Sequence, residues 1–92
     1  MNRMSSASFS KADAEMNKVY RKVMAALDGE GQAKLKTAQR AWLVYRDAQA
    51  ELDADTIARG GTMFPQIYEG TRAELTNARI AVLKITLDSA GL

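Results

Sequence analysis

Apolar positions recur along this chain at intervals of three and four residues, the period of helices packed on one face. In the first third, Ala12, Met16, Val19, Tyr20, Val23 and Leu27 form a single stripe, with Lys11, Lys18, Arg21 and Lys22 on the opposite, solvated side. The second segment carries the most regular pattern: Leu35, Ala38, Trp42, Tyr45, Gln49, Leu52 and Thr56 alternate spacings of three and four. That heptad seam predicts a long helix over 31–58, about 40 Å at 1.5 Å per residue. In the third segment Tyr68, Thr71, Leu75, Ala78, Val82 and Ile85 repeat the spacing, and Ile67, Ile80, Leu83 and Leu87 widen the stripe.

Two glycine-bearing breaks separate these segments, Asp28-Gly29-Glu30-Gly31 and Arg59-Gly60-Gly61-Thr62. Gly29 and Gly60 each follow a helical stretch, where a residue without Cβ can close the helix in the left-handed conformation. Ser10, three residues before Asp13, predicts an N-cap with the first helix starting near Lys11, and leaves residues 1–9 as a frayed N-terminus. Thr62 is the expected N-cap of the third helix, with Pro65 in its first turn. Gly70, inside that helix, predicts a close helix contact or a local irregularity. Short loops between helices make antiparallel neighbours. The fold expected for residues 10–90 is therefore a single all-α domain, an antiparallel up-down-up three-helix bundle with a long middle helix. A middle helix that outreaches its neighbours leaves seam uncovered, which a second copy of the chain could bury, so a homodimer is one expectation.

Composition narrows the chemistry. The 92 residues hold 47% apolar and 26% charged side chains, the balance of one globular domain. Histidine and cysteine are absent, which removes nitrogen and sulfur metal sites, thiol or imidazole nucleophiles and disulfides. Thirteen basic against eleven acidic residues give a net charge of +2, too little to imply a nucleic-acid partner. No stretch nears the ~20 apolar residues of a membrane span, and residues 1–10 show no secretory signal, which by itself points to the cytoplasm. No catalytic residue, cofactor or metal ligand is assigned, and the chain reads as a non-enzyme.

Four constellations stand out. In Gln39-Arg40-Ala41-Trp42-Leu43-Val44-Tyr45-Arg46-Asp47, residues Gln39, Trp42 and Arg46 share a helical flank. Trp42 is expected to anchor the core while Arg46 packs its stem and ties down a carboxylate or a helix-terminal carbonyl. Asp47, Glu51 and Asp55 form a ladder four residues apart, whose repulsion a basic partner surface or Arg46, Arg72 and Arg79 would offset. Arg59-Gly60-Gly61-Thr62 is a helix break rather than a phosphate loop, since it lacks a flanking strand and a phosphate-loop lysine. Arg79, beside the third stripe, is expected to be partly buried and paired with the second helix.

Taken together, the Gln39-x-x-Trp42-x-x-Tyr45-Arg46-Asp47 helix, the Gly60-Gly61-Thr62 break and the Leu75-Thr76-x-x-Arg79 helix resemble the LprI-type lysozyme-inhibitor family, and the Asn17-x-x-Tyr20 pair fits as well. The resemblance covers about Ala14 to Leu83. It implies a small helical domain of exported bacterial proteins, a periplasmic or cell-envelope location, and Gln39, Trp42, Tyr45, Arg46, Asp47, Gly60, Gly61 and Arg79 as motif residues. It also implies a protein partner, with a lysozyme-like muramidase as the candidate. Inhibitors of that kind occupy the substrate cleft of a basic enzyme, so the acidic residues Asp47, Glu51, Asp55 and Glu69 become the candidate binding face. The alternative is a structural or regulatory homodimer. Family members usually carry a cysteine after the Arg-Asp pair and another before the Leu-Thr-x-x-Arg segment; Ala50 and Thr71 stand at those places here.

Overall fold

A computed structural model describes the backbone of residues 2–91 and the side chains of residues 7–91. Three helices follow one another, α1 (Asn2–Ala26), α2 (Gly29–Ala58) and α3 (Phe64–Ala90), with no strand among the described residues. The fold is all-α, a three-helix bundle whose middle helix is the longest, at 30 residues against 25 and 27. Cross-helix partners descend along α3 as they ascend along α2: Gln39 meets Arg79, Asp47 meets Arg72 and Asp53 meets Thr71.

The helix ends correct several expectations. Ser10 lies inside α1, not at its start, because the apolar stripe continues backward to Phe9 and gives the helix a face to bury. Of the segment expected to fray, Met1 and the side chains of residues 2–6 lie outside the described residues, while Ala7, Ser8 and Phe9 belong to α1. Gly29 opens α2 instead of closing α1 in the left-handed conformation. Asp28 is the cap, its carboxylate accepting from the Gly31 N–H at 2.8 Å, and Gln32 Nε2 turns back to donate to the carbonyls of Met24 and Leu27 at the end of α1. One side chain from α2 thereby satisfies acceptors that the end of α1 leaves open. At the second break Gly60 alone takes positive φ, +68°. Met63, not Thr62, precedes the first turn of α3, without a side-chain cap, and Pro65 sits within that turn. α3 runs unbroken through Gly70.

The core is built from Met16, Val19, Val23, Leu35, Ile80 and Leu83, with Tyr20, Met24, Leu27, Trp42, Leu43 and Leu87 packed around it. The α1 stripe therefore faces inward as its spacing predicts. The seams of α2 and α3 are rotated. On α2 the buried residues are Leu35, Gln39, Arg46, Ala50 and Ala54, whereas Ala38, Tyr45, Leu52 and Thr56 of the expected seam are exposed. On α3 the buried residues are Ala73, Thr76, Ile80 and Leu83, whereas Ala78, Val82 and Ile85 are exposed. Apart from Leu35, the inward face of α2 is made of small residues and of polar ones that find partners there, so hydrophobicity alone misplaces it.

Candidate functional site

Three arginines form a column on the inner side of the bundle, and aromatic rings separate them. Arg46, only 5% exposed, donates from Nε to Asp47 Oδ1 at 2.8 Å. Its Nη1 lies 3.7 Å from Asp13 Oδ1 on α1, near enough for charge attraction, yet Nη1 makes no hydrogen bond among the described residues. Its guanidinium sits 5.0 Å from the Phe9 ring centre and 5.4 Å from that of Trp42. Arg72 approaches the same Asp47 Oδ1 from α3 at 3.1 Å and reaches Glu69 Oε1 at 2.8 Å. It stacks 3.8 Å from the Phe9 ring centre, with Tyr68 at 5.2 Å. Arg79 donates from Nε to Gln39 Oε1 at 3.0 Å, with Trp42 at 5.7 Å. Gln39 in turn donates to the buried Met16 sulfur at 3.4 Å.

Every member of this network has a reason to stay in place. Guanidinium groups over aromatic faces gain cation–π attraction while their planar forks bind carboxylate or amide oxygen. Partial burial works to raise the Asp47 carboxyl, but the hydrogen bonds and charges of Arg46 and Arg72 outweigh it and hold the group below the ordinary aspartate value of 3.8. Burial lowers the Arg79 guanidinium from its ordinary value. The chemistry available is electrostatic cross-bracing of three helices, since each fork is already committed to the protein's own oxygens or rings.

The motif residues of the sequence thus divide. Gln39, Trp42, Arg46, Asp47 and Arg79 converge in the column; Tyr45 points away, 51% exposed; Gly60 and Gly61 form the α2–α3 turn, where the Gly61 N–H closes on the Ala58 carbonyl at 2.9 Å. Asn17 and Tyr20 line an open groove of about 460 Å³ between α1 and α2, over Met16 and Gln39. The column also contains Phe9, which the sequence reading assigned to a frayed end. Its spacing of three from Ala12 and seven from Met16 is the signal that places it on the α1 stripe.

The four candidate binding carboxylates are unequal. Asp47 and Glu69 are both held by Arg72. Asp55 is gripped through both oxygens by Arg59 of its own helix end, which brings its carboxyl below the ordinary value. Glu51, between Asp47 and Asp55, is exposed. No group of three or more Asp or Glu suited to hold a metal ion occurs among the described residues. At the two positions where the resemblance implied cysteines, Ala50 is fully buried and Thr71 donates to Asp53 Oδ2 at 3.2 Å, while Gln49 donates to the other oxygen at 2.8 Å. A polar clasp joins α2 to α3 at this level.

With this geometry in place, the comparison with known proteins is decisive: the family model described as "Lysozyme inhibitor LprI" matches residues 1–83. The chain belongs to the LprI lysozyme-inhibitor family. A relative from Rhizobium meliloti (strain 1021), an uncharacterised protein, is 46% identical over 92 residues, a match that takes in 86% of this chain and 66% of the relative's length. No solved structure matches the chain. The LprI family is one of lysozyme inhibitors rather than enzymes, and no helix among the described residues is long and apolar enough to cross a membrane.

Proposed function

We propose that this chain is a non-enzymatic protein-binding module that blocks a lysozyme-like muramidase in the bacterial cell envelope. The observation that carries this reading is the LprI match over residues 1–83. Its contact surface is the acidic side of α2, continued on α3 by Glu69. Within it Glu51 is the leading contact, since its carboxylate is exposed and has no arginine within salt-bridge distance among the described residues. Asp47 and Glu69 are held in fixed positions by Arg72, which offsets part of their charge. Against a basic enzyme such a face speeds encounter more than it sets final affinity. Self-association, the alternative role, concerns a neighbouring flank of α2.

The test is a lysis assay of peptidoglycan by lysozyme with the chain in molar excess. Inhibition that weakens about tenfold in Glu51→Lys, with helicity unchanged, supports the reading, a loss equivalent to about 1.4 kcal/mol. Lysis undiminished by excess wild-type chain overturns it.

A further inference from the structure

The outward flank of α2 carries an apolar strip that nothing among the described residues covers. Ala38, Ala41, Tyr45, Ala48 and Leu52 follow one another at spacings of three and four and are all exposed, Tyr45 at 51% and Leu52 at 57%. The strip is bounded by charge at both ends. Glu30 and Lys34 form an ion pair at 3.6 Å before it, and Asp55 and Arg59 form one after it. These four residues lie on the same helical flank as the strip, because their spacings continue its period.

We propose that this flank pairs with the same flank of a second copy of the chain, antiparallel and about a two-fold axis near Tyr45. The charge order and the side-chain sizes both select that occupant. In the antiparallel register Glu30 faces the partner's Arg59 and Lys34 faces the partner's Asp55, so every end charge meets its opposite. A parallel pairing sets Lys34 against the partner's Lys34 and Asp55 against the partner's Asp55. The same register sets Leu52 over the partner's Ala38 and Ala41 over the partner's Ala48, large against small, and brings the two Tyr45 rings together at the axis. A two-fold interface demands this self-complementarity, in which residue i meets residue j and j meets i. A single helix pair falls among the smaller interfaces, below about 1,200 Å² in total, so the dimer is weak and concentration-dependent. The pairing leaves Glu51 and the Arg72-braced carboxylates on the adjoining flank.

Sedimentation equilibrium of the full chain from low micromolar to submillimolar concentration tests the proposal. The wild-type chain moves from monomer to dimer over that range, and Leu52→Lys stays monomeric with unchanged helicity; Tyr45→Ser gives the same reading should the lysine variant lose helicity. Lys34→Glu or Asp55→Lys alone weakens self-association about tenfold, and the two together in one chain restore it. A wild-type chain that remains monomeric throughout, or dimers indifferent to both Leu52→Lys and Tyr45→Ser, overturn the proposal. Absence of rescue in the charge-swapped double variant overturns the antiparallel register. A monomeric chain whose lysozyme inhibition falls with Leu52→Lys assigns the strip to the enzyme, whereas a dimer that inhibits no lysozyme upholds this interface and sinks the muramidase reading alone.

Discussion

Thr76 is the most completely enclosed polar residue of α3, with no exposed surface and a hydroxyl that has no hydrogen-bond partner among the described residues. A sealed, unpaired hydroxyl carries its desolvation cost without return. Thr76→Val keeps the shape and removes the polar atom, so it should stabilise the fold by about 1 kcal/mol, read as a rise in urea midpoint at unchanged slope. A fall in midpoint would show that the hydroxyl is satisfied in solution. Arg46 differs in degree. It is 5% exposed and its Nη1 is also without a hydrogen bond among the described residues, but its Nε is bonded to Asp47 and its plane lies against Phe9 and Trp42. Sequence reasoning located Arg46, because an arginine one turn after a tryptophan on a helical flank has a stem to bury. It had no way to find Thr76, since nothing in a threonine's spacing says whether its hydroxyl meets a partner.

Helix ends and helix faces separate what local sequence controls from what it does not. The two breaks between elements were legible because Gly-rich tetrapeptides interrupt the period, but the glycines do different work. Gly60 takes φ +68°, a conformation that costs other residues about 1 kcal/mol or more. Gly29 has ordinary backbone and open space around its Cβ position. Gly60→Ala should therefore lower thermal stability by about 1 kcal/mol, while Gly29→Ala leaves it unchanged or raises it by some tenths, through a less flexible unfolded chain. Equal losses in both, measured by thermal denaturation, would contradict this assignment. The α1 face was legible because its inward residues are its large apolar ones. The α2 face was not, because its inward row mixes Leu35 with Gln39, Arg46, Ala50 and Ala54 while Tyr45 and Leu52 lie outside. A heptad count follows the bulky residues and so turns the helix by roughly one position.

The molecule measures 47 × 21 × 14 Å along its principal axes, a thin body whose apolar core is short of the whole helix length. Toward the N-terminal part of α1 the packing passes from Met16 and Leu83 to the arginine column, where Asp13 of α1 faces Arg46 of α2 and Asp47 of α2 binds Arg72 of α3. That makes the assembly sensitive to acid. Asp47 has its folded-state value below 3.8, so as pH falls the unfolded chain takes up a proton before the folded one does. The contribution is complete above about pH 4 to 5 and drains away as pH drops through the folded-state value. Melting temperatures followed from pH 6 to pH 3 should fall, and Asp47→Asn should flatten the lower part of that profile while starting from a lower value at pH 6. A profile identical to wild type would remove Asp47 from the brace.

Spacing and composition by themselves determined that this chain is three helices, where they break, and which family block it carries, because helical period, glycine interruptions and the Gln39 to Asp47 motif are properties of neighbouring residues. Only the tertiary structure decided which flank of α2 and α3 is buried, that Phe9 belongs to the site, and that Arg72 of α3 reaches Asp47 of α2. Those outcomes depend on partners tens of residues away. A guanidinium becomes an acceptable core residue only when another helix brings it a ring and a carboxylate.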